Sequence, residues 1–449
     1  MDCIVYTLFL NICKKLSPMN KKIISIELNE INLEWLKFYI KKNKLRNFKT
    51  LFSKYKQITT ISENKYENLE PWIQWPSFYS GMPLEKHNCF HLGEGKSLSG
   101  KTIYDHFQNN GKSVLAVSPM NCIFDIKNQS KLFPDPWTEY SFKDSNFENL
   151  LWGSVKSIVN TNAAGSASVK DYFIFLLGFL KYASFKNYLK YLRLIFLSVK
   201  YKWAKAILLD RFLVDFFLNL YKKNNYKYSS LFLNAGAHIQ HHHLYDSLCY
   251  QGKNTNPRDY SPAAYTDIDP IFEILNVYDD LIGIIMKRFQ NETVLITTGL
   301  QQTDNKKPYF QYRANNHFDF YKSLNFKFTN IEPRMSRDVS FQGCSLEDIE
   351  HNKKLCDKYT IDGKPLFKAF IEKTTGDLFI KINWTGIVEG FKHVKFEGQY
   401  LNIADKVSLV SIENAIHQSY GWHVNINSGI DLDSNEKIYI WDFFKKLVS

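Results

Sequence analysis

Two kinds of apolar pattern alternate along the chain. Short runs rich in β-branched residues read as buried strands: "KKIISIEL" (21–28), "KSVLAVSP" (112–119), "SSLFLNAG" (229–236) and "ETVLITTG" (292–299). Between them lie longer segments whose apolar residues recur every three or four positions. "INLEWLKFYIKKN" (31–43), "TIYDHFQNNG" (102–111) and "DPIFEILNVYDDLIGIIMKRF" (269–289) therefore predict amphipathic helices. Asp269 and Pro270 suit the start of the last helix, and Gly111 suits the end of the second. Strand and helix in alternation predict an α/β fold, with a mostly parallel central sheet and helices on both faces. Polar residues follow the strands: "ELNE" after the first, "NAGAHIQHHH" after the third, "TGLQQT" after the fourth. In a parallel sheet those ends meet along one edge, which is where ligands bind.

One segment departs from the alternation. Residues 179–228 hold eleven Lys/Arg against two Asp, with no Pro and no Gly. They predict two or three basic amphipathic helices, part of an insertion at about 150–228 between the second and third strands. The helices either pack on the core with a solvated basic face, or lie on an anionic membrane surface, or hold a lipid-linked or phosphorylated substrate. No nucleic-acid reader motif accompanies the charge, so no specific nucleic acid is expected as a partner. Beyond residue 300 the pattern changes to mixed strands and short helices that close the same domain, taken as 19–449. Residues 1–18 read as an N-terminal extension, since "MNKKIISIELNE" from Met19 suits the start of a first strand.

Composition narrows the class. With 449 residues, 45% of them hydrophobic, the chain is far from a disordered composition. The net charge is +12 and aromatics reach 16%, enough for a large ring-rich core. The seven cysteines are scattered with no C-x-x-C pair, which excludes a zinc ribbon and a disulfide framework and fits a reducing, cytoplasmic setting. No run reaches the ~18 apolar residues of a spanning helix. Membrane contact would therefore be peripheral, on the inner face.

Three stretches carry candidate chemistry. In "LNAGAHIQHHHLYDS" (233–247), a helix begun at Asn234 puts His238, His241 and His242 at i, i+3 and i+4 on one face. Imidazoles so placed serve as metal ligands or as acid and base, or they form a packed cluster; His243 reads as a packing residue. "EPRMSRD" (332–338) sets Arg334 and Arg337 three apart, suited to a phosphate, sulfate or carboxylate, or to a structural pair with Asp338. "LEPWIQWPSFYSGMPLEKHNCFHLG" (69–93) runs from a polar residue through aromatic–Pro to a hydroxyl–Gly pair and x-P-x-x-x-H. Within it, Gln74 either acts in a site or satisfies a buried backbone. Gly95-Lys96-Ser97 lacks the leading glycine of a P-loop.

In the order of these stretches, over roughly residues 19–300, the chain resembles the alkaline phosphatase superfamily, in particular its type I phosphodiesterase/nucleotide pyrophosphatase branch. Members carry a first strand ending in a metal-binding Asp-Gly, a T-[FWY]-P nucleophile turn, T-G-x-x-P-x-x-H-G, Asp-x-x-x-His and Ser-Asp-His-Gly. The resemblance implies an alkaline-phosphatase-like fold, two divalent metals, usually zinc, and a Thr or Ser attacking phosphorus or sulfur. Here Asn29-Glu30 stands for Asp-Gly. Gln74 takes the attacking position when Trp75-Pro76 is aligned, with Ser77 as the nearest hydroxyl. Ala237 and His241 fall on Asp-x-x-x-His, "TTGLQQ" with Gln302 on Ser-Asp-His-Gly, and His417 where a late metal-binding His falls. The candidate metal ligands are Asn29, His238, His241 and His417. The candidate catalytic residues are Glu30, Gln74, Ser77 and His241, with Trp75, Gln302, Arg334 and Arg337 on the substrate. Zinc or manganese is the expected cofactor, held more weakly than in the family because amides replace charged ligands.

The motifs "ELNE", "EPWIQW", "HIQHH", "TGLQQ" and "PRMSRD" look like a divergent subgroup associated with bacterial surface-polysaccharide loci. The expected activity is hydrolysis or transfer at a phosphate or sulfate ester, on a phosphorylated, nucleotide-sugar or lipid-linked glycan substrate. The alternatives are a catalytically altered binder of glycan or phosphorylated ligand, and a transferase of other chemistry on the same scaffold.

Overall fold

The β-branched run after Lys22 forms β1 (Ile23–Leu28), buried along its whole length on both faces. The computed structural model describes residues 21–164, 167–256, 268–333, 338–371, 376–428, 437–443 and 446. The N-terminal extension and the pair Arg334 and Arg337 lie outside the described residues.

Around β1 assembles an eight-stranded sheet. Its other strands are β2 (Ile58–Ile61), β3 (Val114–Val117), β4 (Lys131–Phe133), β5 (Tyr228–Leu233) and β6 (Thr293–Thr297). A long β7 (Gln301–Ala314) and β8 (Val407–Gln418) pair with each other, and β9 (Tyr420–Ile426) and β10 (Ile438–Tyr439) complete the sheet. The order across it is β10-β2-β9-β6-β1-β5-β3-β4. Strands β6, β1, β5, β3 and β4 run parallel, while β9 lies antiparallel between β2 and β6. Full burial of β1, β3, β5 and β6 is what a parallel sheet covered on both faces requires.

The helices follow their capping signals. Asn32 caps α1 (Leu33–Lys41), and α2 (Arg46–Lys54) comes next. Pro71 opens α3 (Pro71–Ser80), which ends at left-handed Gly81. A Thr102–Asp105 capping box starts α4 (Ile103–Asn109). Four helices fill the stretch between β4 and β5: α5 (Phe147–Ala164), α6 (Val169–Tyr182), α7 (Tyr188–Lys200) and α8 (Ala204–Lys223). Then come α9 (Ala235–His243) and α10 (Pro270–Arg288), the latter capped by Asp269.

The chain forms two compact units. The first takes in Met1–Ile158, Ser168–Asp304 and Ala415–Ser449; the second takes in Val159–Ala167 and Asn305–Asn414. Aromatic rings fill both cores. In the first, Trp75 meets Phe232 at 5.2 Å and Tyr104 stacks on Phe124 at 4.7 Å. In the second, Tyr321, Phe326, Phe341 and Phe367 pack together beneath a four-stranded antiparallel sheet (330–333, 338–342, 367–371, 378–382). Cys89, Cys122, Cys249, Cys344 and Cys356 are all free thiols. Among the described residues no helix is long and apolar enough to cross a membrane.

Candidate metal centre

The carboxyl end of β1 turns sharply at Glu30. This residue is left-handed (φ 60) and fully buried. Such a backbone costs a β-carbon-bearing residue about 1–2 kcal/mol, and it lies where the resembled family has the glycine of Asp-Gly. Three hydrogen bonds hold it. The Glu30 N–H donates to Thr298 O (3.1 Å), and its carbonyl accepts from Gln302 N (3.2 Å) and from Gln240 Nε2 (2.9 Å).

Helix α9 delivers the imidazole. Asp210 on α8 accepts from Ala235 N (2.9 Å) and from the Tyr278 hydroxyl (2.6 Å), and that hydroxyl accepts from Gly236 N (3.0 Å). These contacts satisfy the first amides of α9 and fix its rotation. The face turned toward β1 is Ala237, Gln240 and His241, at i, i+3 and i+4. His417, near the end of β8, completes the group.

Glu30, His241 and His417 bring their ligand atoms within 4.8 Å of one another. Glu30 Oε2 lies 3.0 Å from His241 Nε2 and 3.3 Å from His417 Nε2, and the two Nε2 atoms are 3.0 Å apart. Ligands at ~2.0–2.1 Å from one tetrahedral ion are roughly 3.3 Å apart, so these spacings suit a single cation. His241 Nδ1 donates to the Ala415 carbonyl at 2.8 Å. A carbonyl only accepts, so Nδ1 carries a proton. Nε2 donates to Glu30 when it too is protonated, and in the neutral ring it would turn its lone pair to a cation held between Glu30 and His417. Burial alone would raise the Glu30 pKa. The charge of His417 and hydrogen bonds from both imidazoles outweigh it and hold the carboxyl well below the usual range. His417 is shifted the other way: burial opposes its charge, but the Glu30 carboxylate prevails and raises its pKa.

Gln302 supports the carboxylate. Its amide N–H group donates to Glu30 Oε2 and to Ala237 O (3.0 Å). Gln302 Oε1 is buried without a hydrogen-bond partner among the described residues. A two-imidazole, one-carboxylate set with such second contacts is the chemistry of zinc and of open-sided divalent sites.

Other residues singled out by sequence fall elsewhere. His238 is exposed and sets its ring edge-on to His242 at 4.7 Å, away from the Glu30 group. It shares an apolar-side spacing with His241 but lies on the adjoining face of α9. Asn29 accepts from the Trp75 indole at 2.7 Å and donates to Asn234 at 2.8 Å, so its carbonyl oxygen is already engaged. Trp75 is 1% exposed among Phe78, Tyr79 and Phe232, a position that leaves no ring surface for substrate. Gln74 bonds the backbone at Asn68 O (2.7 Å) and Glu63 N (3.4 Å), the backbone-satisfying role rather than a catalytic one. His243 pairs with Asp246 at 2.9 Å.

Ser77 is likewise committed. Its hydroxyl donates to Ile73 O (3.2 Å) and lies 2.8 Å from His87 Nε2. His87 Nδ1 accepts from Cys89 N at 3.0 Å, so the proton sits on Nε2 and the ring donates to Ser77. Burial pushes the His87 pKa down to about 4, keeping it in that neutral form. A histidine that donates to a serine cannot take its proton, so this pair is a structural one. Ser77→Ala should therefore lower stability by about 1–3 kcal/mol, through the orphaned Nε2–H, and leave any ester turnover intact. Urea unfolding alongside a turnover assay checks both; loss of turnover with normal stability would restore Ser77 as nucleophile.

No family model matches the chain. None of the curated proteins matches it. Solved structures match over nearly its whole length. All three named next are alkaline phosphatase superfamily proteins. Murine ectonucleotide pyrophosphatase/phosphodiesterase 5, in an inactive form in complex with AMP, is 8% identical, with 95% of this chain and 94% of that chain covered and a TM-score of 0.41. Phosphonoacetate hydrolase from Sinorhizobium meliloti 1021, in complex with phosphonoacetate, is 12% identical, with 96% of each chain covered and a TM-score of 0.37. The alkaline phosphatase of the Antarctic bacterium TAB5 is 10% identical, with 95% and 97% covered and a TM-score of 0.38.

Two contributors to the centre were not evident from sequence. Gln240 clamps the turn by accepting from Asn32 N (2.9 Å) while donating to Glu30 O. Glu70, just before α3, places a carboxylate oxygen 3.9 Å from His417 Nδ1, on the far side of that ring from Glu30. The signal for Gln240 was its place three residues after Ala237 and one before His241, on the face that the three share.

Proposed function

We propose that this chain acts on a phosphate or sulfate ester, as a hydrolase or transferase, around one divalent cation held by Glu30, His241 and His417. The observation that supports it is the convergence of those three side chains at the carboxyl ends of the sheet, at spacings suited to one ion. A single cation is favoured over two because Asn29 and Gln302, at positions where the resembled family has charged ligands, are amides already engaged with protein. A bound divalent cation lowers the pKa of a coordinated water and neutralises charge on a phosphoryl or sulfuryl oxygen. The protein's part is to hold it. The Ala415 carbonyl sets the His241 tautomer, Gln302 steadies the Glu30 carboxylate, and Gln240 fixes the strained turn beneath. With Ser77 committed to its helix, the attacking group is a water or an acceptor hydroxyl of the substrate. Zinc or manganese suits this donor set. A nucleotide-sugar or lipid-linked glycan in bacterial surface-polysaccharide metabolism is the substrate class suggested by the subgroup resemblance.

The test begins with the purified full chain. Elemental analysis is expected to find about one zinc or manganese per chain, and p-nitrophenyl mono- or diesters to be turned over slowly. Absence of bound metal after incubation with either ion would sink the reading. One observation favours a second one: Gln74 and Ser77, at the nucleophile turn, both bond inward. A catalytically altered ligand binder would hold metal yet cleave neither ester.

A further inference from the structure

Helices α6 and α7 turn apolar stripes outward. On α6, Val169, Tyr172, Phe173, Leu176, Leu177 and Leu180 recur at three- and four-residue spacing and are all exposed. On α7 the same spacing exposes Leu189, Leu192, Ile195, Phe196 and Val199. The exposure is large: Val169 86%, Leu189 81%, Val199 85%, and Phe185 in the connecting turn 83%. The inner faces have their own partners. A Cβ on Gly178 would fall 2.3 Å from Leu151 Cδ1, so glycine permits the close approach of α6 to α5. Phe175 packs on Phe212, and Phe179 meets Tyr188 and Tyr191, joining α6 to α7. Tyr191 and Leu194 of α7 are buried. Both helices are thus apolar on two sides, with only one side used by the fold. A soluble surface rarely carries a patch of this kind unless something covers it.

The charge around the patch points to what covers it. Residues 169–202 hold seven Lys/Arg and one Asp. Lys190 and Arg193 pair with Asp280 and Glu273 on α10 and pin α7 in place. Lys170, Lys181, Lys186, Lys200 and Lys202 supply the surplus. At 14 and 13 residues the helices are too short to span a bilayer, which takes about 20. They are suited to lie in its interface, apolar side down, with lysines level with the lipid phosphates. A second copy on the same patch would set one basic surplus against another.

We propose that α6 and α7 form an interfacial docking surface for an anionic lipid bilayer. The surface is separate from the cation centre and does not depend on it. The test is flotation of the full chain with phosphatidylcholine vesicles, with and without phosphatidylglycerol. The expected result is recovery with the anionic vesicles, falling as salt rises. Phe173→Glu with Phe196→Glu should weaken binding at least about tenfold, with an unchanged urea unfolding midpoint because both positions are exposed. Lys186→Gln, Lys200→Gln and Lys202→Gln together should weaken binding to anionic vesicles and flatten its salt dependence. Failure of the wild-type chain to float would overturn the proposal, as would full recovery of the Phe173/Phe196 variant. So would a dimer that the Phe173/Phe196 variant dissolves while the wild type ignores vesicles; that result would assign the patch to a second copy.

Discussion

Glu30→Gln is expected to lower zinc affinity by more than about 100-fold, beyond the 10–100-fold that a supporting residue costs. Glutamine keeps the shape of the side chain but removes the charge that two imidazoles face at 3.0 and 3.3 Å. His241→Ala and His417→Ala should match it, since each removes one of three donors. Gln302→Ala removes only the amide behind the carboxylate and belongs in the 10–100-fold class. Calorimetric titration with zinc reads this order directly. Thermal unfolding gives a second measure free of any substrate: zinc at ~100 times its Kd adds about 2.7 kcal/mol to wild-type stability, and the Glu30 and histidine variants should lose that increment. If Glu30→Gln binds zinc like the wild type, the three side chains form a proton-linked cluster and not a cation site.

Glu27→Gln should flatten the stability of this protein above pH 4.5. Glu27 lies three residues before Glu30, on the face of β1 covered by α3, and accepts from Tyr79 (2.6 Å) and Ser25 (2.9 Å). Burial pushes its pKa up to about 7 from 4.5, with both hydrogen bonds opposing the shift. At and below pH 4.5 the unfolded and folded chains both hold the proton. Between there and about 7 only the folded chain keeps it, so rising pH favours unfolding through that window and has no further effect above it. The gap amounts to roughly 3 kcal/mol. The variant has no proton to lose. Its advantage over wild type should be near zero at pH 4.5, grow through pH 6, and reach roughly 3 kcal/mol at pH 8. Urea unfolding at the three pH values checks it; equal slopes for the two proteins would mean that Glu27 is ionised in the fold. Asp210, also raised to about 7 by burial, acts in the same direction and stays in both proteins, so the difference isolates Glu27.

The sheet was readable because its strands are short, β-branched and separated by capped helices. The convergence of "ELNE", the α9 turn and "TGLQQT" follows from parallel topology alone. What periodicity left open is which way a helix is rotated. In α9 the spacing puts His238, His241 and His242 on one broad face, whereas Asp210 and Tyr278, distant in sequence, rotate the helix so that Gln240 and His241 face Glu30 and His238 does not. The same ambiguity covers α6. "VKDYFIFLLGFLKY" is apolar nearly all round, so its spacing reads alike whether a stripe faces the core or water. Ser77 was legible as a hydroxyl near the right turn, but its unfitness as a nucleophile rests on a tautomer set by the Cys89 amide, a contact no spacing encodes.

The place of β9 in the sheet bears on how the chain is made. Strand β2 ends at Ile61 and pairs only with β9 and β10, which lie within the last thirty residues, from Tyr420 on. A ribosome adding ~5–20 residues each second needs roughly 20–70 s to travel from one to the other. Through that interval β2 has no ladder partner, and once β6 is made its edge waits as well. An unpaired edge is the usual template for association between chains. A chain stopped short of Tyr420 would keep both edges open permanently, even though Glu30, His241 and His417 are all already made; aggregation of such fragments, and a need for chaperone cover until β9 is made, follow from where one strand is inserted.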